Sequence, residues 1–250
     1  MTRALFISDL HLSDGQPATL AAFEAFVAGP AQGADTLYIL GDLFEYWPGD
    51  DALDTPLARQ VCAALHALSE QGCRVHFLPG NRDFLVGTTF ATQAGLSLMD
   101  DPQPIELDGQ RFLLSHGDAL CTDDHAYQAF RQQVRNPDWQ RAFLAQPLAE
   151  RTAIIERIRQ QSVMAKQEKA AEIMDVNPDA VASLLRAHGL PCFIHGHTHR
   201  PARHVHLFAD GQTERWVLSD WDDCAHWLEW NGQSLSAHRL RGARTAAEPA

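Results

Sequence analysis

Lysine is nearly missing from this chain. Its 20 basic side chains include only two lysines, Lys166 and Lys169, both within one short stretch. Acidic residues number 32, and the formal net charge is -12. Such a surface is a poor general binder of nucleic acid or of an anionic membrane. Any anionic substrate must therefore be met by a local positive site. The five cysteines are scattered and form no CxxC pair. That argues against a thiolate zinc site or a disulfide framework and favours a reducing compartment. No apolar run approaches the roughly 20 residues that cross a bilayer. The start, "MTRALFISDLHL", lacks the apolar core and cleavage site of a signal peptide. These absences fit a cytosolic protein, or one attached to a membrane surface from the cytosol. No internal repeat or low-complexity block is visible.

What is present reads as a layered α/β fold. A hydrophobic fraction of 45% over 250 residues supports a sizeable core. Strand-like runs at 4–7, 36–40 and 74–78 alternate with helical stretches at 18–28 and 57–71, a β-α-β-α-β order. Runs at 105–107 and 111–115 flank a "DG" hairpin turn. Residues 125–188 are almost wholly helical in pattern. Strand-like runs resume at 192–195, 204–208, 215–219, 225–230 and 234–239, and a tail from 241 to 250 is expected to be disordered.

The chemistry sits where the apolar runs stop. "ALFIS" is followed by Asp9-Leu10-His11, "TLYIL" by Gly41-Asp42, and "VHFLP" by Gly80-Asn81-Arg82-Asp83. "FLLS" is followed by His116-Gly117-Asp118, and "CFI" by His195-Gly196-His197-Thr198-His199. Asp42 alone reads as a turn residue, and histidines such as His66 and His226 read as ordinary surface or core. Five different strand ends that each carry a potential ligand are a different matter, because ligands in α/β sheets gather at the carboxyl ends of strands. Carboxylate, imidazole and amide oxygen without thiolate suit Mn²⁺, Fe²⁺ or Zn²⁺ in a catalytic site. There are too many donors for one ion. Two ions need a bridging carboxylate, and in two-metal hydrolases they sit about 3.5–4 Å apart. Two aspartates leave two divalent ions with surplus positive charge, which suits an anionic, phosphate-bearing substrate.

The series Asp9-x-His11, Gly41-Asp42, Gly80-Asn81, His116 and Gly196-His197-x-His199 resembles the calcineurin-like metallophosphoesterase signature. The resemblance implies a β-sandwich of two mixed sheets flanked by helices, spanning 1–240 and interrupted by a helical lid at 125–188. It also implies two Mn²⁺ ions, one held by Asp9, His11, Asp42 and His199, the other by Asp42, Asn81, His116 and His197. Asp42 is then the bridge and a catalytic residue, and His195 is left to support the site. Longer stretches, "LGDLFEYWPGDD", "GNRDFL", "SHGDALCTDDHAYQ" and "HGHTHRP", are similar to the UDP-2,3-diacylglucosamine diphosphatase family of lipid A biosynthesis. That family's reaction is water attack on the uridine-side phosphorus, which releases UMP and the diacylglucosamine 1-phosphate.

Arg82 bears on the reaction independently. Broader members of the fold carry histidine after the asparagine, where it protonates an alkoxide leaving group. Arginine stays charged and cannot supply that proton. It can neutralise phosphate oxygens, which is what a phosphate leaving group needs. A plain pairing of Arg82 with Asp83 is the competing reading. The resemblance further implies substrate contacts from Asn81, Arg82, His197, Asp124, Ser162, Lys166 and Lys169, although Lys166 stands where the family often has an amide. Arg141, Arg151, Arg157 and Arg159 lie near the two lysines, so the insertion is expected to meet the anionic part of the substrate. Phe130, Val134, Trp139, Phe143, Leu144, Ile154, Ile155 and Ile158 give it apolar faces to pack on the body, line an acyl groove or touch a membrane. The partner implied is a UDP-linked diacylated lipid at the cytoplasmic face of the inner membrane, with no nucleic acid; oligomeric state is left open. A metallophosphodiesterase of another substrate, or more remotely a non-catalytic binding module, are the rival readings.

Overall fold

The computed structural model describes residues 1–168 and 175–241, and of 161–168 only the helical backbone. Lys169, the side chains of Ser162 and Lys166, and the tail from 242 onward lie outside the described residues. The first sheet has six strands in the order β11-β10-β1-β2-β3-β4, formed by β1 (Ala4–Ile7), β2 (Thr36–Ile39), β3 (Arg74–Phe77), β4 (Leu96–Leu98), β10 (Cys224–Trp230) and β11 (Leu235–Arg241). The second has five in the order β5-β6-β7-β9-β8, formed by β5 (Gln103–Leu107), β6 (Gln110–Ser115), β7 (Cys192–His195), β8 (Ala202–Phe208) and β9 (Gly211–Val217). Both sheets are mixed. The pairs β1–β2, β2–β3, β3–β4, β6–β7 and β7–β9 are parallel, and β1–β10, β10–β11, β5–β6 and β8–β9 are antiparallel.

Strand alternation explains the two-sided burial. In β1, Ala4 and Phe6 point between the sheets, where they meet Tyr38, Leu40, Phe112, Leu114, Ile194 and Trp230. Leu5 and Ile7 point outward into a second core shared with Phe23 and Phe26 of α1 (Pro17–Ala28) and Val61 and Leu65 of α2 (Pro56–Glu70). Each fully buried Phe or Leu contributes about 1.5–3 kcal/mol. A short helix α3 (Thr88–Ala94) and β4 complete this side; no periodic run in the sequence announces either, because each is under two turns or four residues long.

The helical block divides. It contains α4 (His125–Val134), α5 (Pro137–Leu144), α6 (Leu148–Glu168) and α7 (Pro178–Ala187). Asn136 and Asn177 cap α5 and α7, and each is followed by a proline at the first helical position. Phe143 is buried in the outer core of the first sheet, with Trp139, Ile154 and Ile155 packed beside it. Leu144 stays exposed. By contrast, Val181 and Leu185 of α7 pack on Leu113 and Phe193 of the second sheet. So α7 is a flanking helix of the sandwich, whereas α4 to α6 form the part that crosses from one sheet to the other.

Candidate metal centre

Five strands deliver their following residues to one place. Asp9 and His11 follow β1, Asp42 follows β2, Asn81 follows β3, His116 follows β6, and His197 and His199 follow β7. Gly196 N–H donates to His116 O within the second sheet, and His197 N–H donates to the Asp9 carboxylate at 2.9 Å, which ties the second sheet to the first. Asp9, His11, Asp42, His197 and His199 all have φ between 51° and 69°. They are five of the seven non-glycine residues in the left-handed region among those described. Such conformations are costly and cluster at functional sites.

The donor atoms converge in two overlapping groups. Asp9, His11 and His199 bring ligand atoms within 4.8 Å of one another, and so do Asp9, Asp42 and His116. His11 Nε2 lies 3.3 Å from His199 Nε2 and 3.8 Å from Asp42 Oδ2. On the other side of Asp42, His116 Nε2 lies 3.7 Å from Oδ1. Asn81 Oδ1 is 2.8 Å from both His116 Nε2 and His197 Nδ1. All seven expected ligands are therefore in one cluster.

The arrangement fits a divalent cation. His116 Nδ1 donates to Leu40 O at 2.9 Å, which leaves Nε2 as a lone pair facing the oxygen acceptors of Asn81 and Asp42. Acceptors that face acceptors need a cation between them. Without metal, protons serve instead. Burial opposes the protonation of His116, but Asp42, Asp9 and Asp118 outweigh it and raise its pKa to about 9. His199 is raised to about 10 against its own burial, chiefly by hydrogen bonds to Asp220 and Asp9. Burial and the nearby His116 depress His197 to about 4, so its ring is neutral and free to ligate.

Close backbone approach makes this packing possible. A Cβ at Gly80 would collide with Asp42 Oδ1 and N, and one at Gly196 with Ser8 Oγ and Asp9 Oδ2. Asp83 is fully buried and accepts backbone N–H groups from Asp42, Leu43, Phe44 and Gly80. It staples the Asp42 loop to the Asn81 loop and is not a surface partner for Arg82. Arg82 itself is half-buried, and its N–H donates to Asp42 Oδ1 at 2.8 Å. His195 is satisfied within the protein: Nδ1 donates to Gly196 O, and Nε2 accepts from Arg215. Burial and Arg215 depress its pKa to about 3, so it stays neutral.

The calcineurin-like phosphoesterase family matches residues 2–201, a stretch that contains every one of these strand ends. The chain belongs to this family. This phosphoesterase is also similar to proteins named UDP-2,3-diacylglucosamine hydrolase. The one from Aromatoleum aromaticum is 59% identical over 229 residues, covering 92% of this chain and 93% of that relative. Those from Chromobacterium violaceum and Escherichia coli O81 are 52% and 51% identical, covering 86% and 87% of this chain and 89% and 90% of theirs.

Several supporting residues of the phosphoesterase site escaped the sequence reading. Asp220 Oδ2 lies 3.3 Å from His199 Nδ1, yet nothing distinguishes it from its neighbours in "SDWDD". Asp118 is buried and receives Tyr127 Oη and Arg131 Nε at 2.5 and 2.8 Å. Tyr127 in turn stacks on His197, with 5.9 Å between ring centres. Asp118 stands beside His116 in "SHGD", but the sequence reading gave it no role of its own. Asp124 caps α4 by accepting from Tyr127 N at 3.1 Å, beside this group. The basic cluster of the insertion is dispersed. Arg141 pairs with Asp138 on the surface, and Arg151 is buried against Asp51, Pro48 O and Gln146 O. Arg157 reaches Ala153 O in its own helix, and Arg159 reaches Glu45.

Proposed function

We propose that this chain hydrolyses the pyrophosphate bond of UDP-2,3-diacylglucosamine to UMP and 2,3-diacylglucosamine 1-phosphate, with two Mn²⁺ ions as cofactors. The reaction type is carried by the two ligand groups that share Asp9, with Asp42 between them. The substrate is carried by the likeness to the named hydrolases over most of both chains.

Asp9, His11, Asp42 and His199 would hold one ion, and Asp42, Asn81, His116 and His197 the other. When bound, divalent ions supply Lewis-acid charge for the phosphoryl oxygens and acidify the attacking water. The remaining work falls to protein groups. Asp42 spans the two ligand groups with one carboxylate whose Oδ1 is fixed by the Arg82 N–H. Arg82 remains charged and neutralises the phosphate oxygens as the P–O bond to the leaving phosphate breaks. That leaving group departs as a stable anion, so no side chain need protonate it. Ser162, Lys166 and Lys169 of the insertion, with Asp124 from the loop after His116, would bind the substrate. The acyl chains keep the substrate in a membrane, and on this reading the chain works on it from the cytoplasmic face of the inner membrane. Among the described residues no helix is long and apolar enough to cross one.

The test is UMP release from the acylated substrate in detergent with Mn²⁺, run beside an EDTA control and unacylated UDP-N-acetylglucosamine. Metal-dependent release from the acylated substrate alone is expected. Turnover of a simple phosphodiester without UMP release would instead move the activity to another substrate of the same site.

A further inference from the structure

Outside the ligand set, an acidic side chain, Glu45, joins α6 to the site. Glu45 lies three residues past Asp42. Its backbone is fixed, because its N–H donates to Leu12 O at 3.0 Å and the neighbouring Phe44 bridges Leu12. From there its carboxylate reaches two ways. Oε2 lies 3.1 Å from His11 Nδ1, and Oε1 accepts from Arg159 Nη2 of α6 at 2.5 Å. The Arg159 guanidinium also sits over the Tyr46 ring, 5.4 Å from its centre, so consecutive residues of one loop receive it. His11 Nδ1 is buried, and the group that meets it is the Glu45 carboxylate. The opposite nitrogen, Nε2, faces His199 and Asp42. Whatever holds Nδ1 therefore sets where Nε2 points.

We propose that Glu45 is a positioning residue that couples the seating of α6 to the geometry of the metal centre. Arg159 holds Glu45, and Glu45 holds His11. The proposal rests on the reading of His11 as a metal ligand. A carboxylate on the far nitrogen of a ligating imidazole fixes the ring and makes it a stronger donor. Arg159 can serve only while α6 lies against the loop. When α6 is displaced, Glu45 loses its cationic partner and His11 loses its orientation. The coupling is reciprocal by linkage: a metal ion held through His11 favours the seated helix by the same factor.

The test needs no substrate. Mn²⁺ is titrated calorimetrically into the metal-stripped full chain and its Glu45→Gln, Arg159→Ala, Arg159→Lys and Glu45→Gln/Arg159→Ala variants. Glu45→Gln should weaken Mn²⁺ binding about 10- to 100-fold. Arg159→Ala should weaken it about 5-fold or more, and Arg159→Lys should restore most of that loss. The double variant should bind no more weakly than Glu45→Gln, because both changes act through one path. Hydrogen exchange gives a second readout: Mn²⁺ should protect the α6 backbone in the unaltered chain but not in Glu45→Gln. Unaltered Mn²⁺ affinity in Arg159→Ala, or effects that add in the double variant, would overturn the coupling. Unaltered affinity in a His11→Ala control would overturn the ligand reading beneath it. Loss of UMP release alone, with the Mn²⁺ pattern as expected, would count against the substrate and leave the coupling standing.

Discussion

Between Gly80 and Asp83, the loop after β3 leaves Asp42 almost no freedom. Asp83 binds the Asp42 N–H, and Gly80 presses on the carboxylate. A methyl group at Gly80 must push Asp42 aside. Gly80→Ala should therefore lower kcat/KM about 100-fold, as misplacement of a reacting group by an ångström does, and a kinetic assay beside Mn²⁺ titration will show both losses together. The histidines give a pH test. His116 is raised from an unfolded value near 6.5 to about 9, so its proton stabilises the metal-free fold fully below pH 6.5 and less as pH rises through 9. His199, raised to about 10, has the same sign. The gain in Tm on adding Mn²⁺ should then grow between pH 6.5 and 8.5, and a gain that shrinks over that window would contradict the charge balance described. The clustered residues proposed as ligands were legible because each follows a strand-like run. Glu45, Asp118 and Asp220 were not, since a supporting carboxylate is defined by what it touches across the fold, and spacing carries no trace of that.

At the scale of elements, Arg151 fastens the start of α6 to the loop after β2. It is the largest fully buried side chain among the described residues and serves Asp51, Pro48 O and Gln146 O. Arg151→Ala leaves two carbonyls without their donor and opens a cavity. It should cost about 2–4 kcal/mol by urea denaturation. Lysine should recover little of this, because a single ammonium cannot reproduce the planar fork. The strands at 4–7 and 192–195 were legible to the residue, since their apolar runs are uninterrupted and end on polar or glycine residues. The edges were not: β8 begins at Ala202 and β11 extends to Arg241, in exposed, polar sequence that only ladder pairing makes into strand. Nor could periodicity separate α7 from the helices before it. Both have amphipathic faces, and only the partner of the face tells them apart.

Across the whole molecule, three apolar clusters hold the sandwich together among the described residues, and they draw on both sheets and their flanking helices without calling on an ion. Chelation by EDTA should therefore abolish activity while the far-UV circular dichroism stays unchanged, and Mn²⁺ should restore turnover without refolding. A collapse of the spectrum on chelation would show that the metal centre is part of the core. The left-handed backbone of the ligands adds a cost that the apolar clusters must cover. Each such residue costs about 1–3 kcal/mol, less for the aspartates than for the histidines, while total stability in domains is only about 5–15 kcal/mol. Five of them make the site a standing burden on the fold. A copy whose His197 or His199 has become asparagine or glycine sheds part of that burden along with its chemistry. Loss of activity and gain in heat resistance can thus arrive in one substitution, so a hardy, soluble, silent descendant of this chain is a short mutational step away.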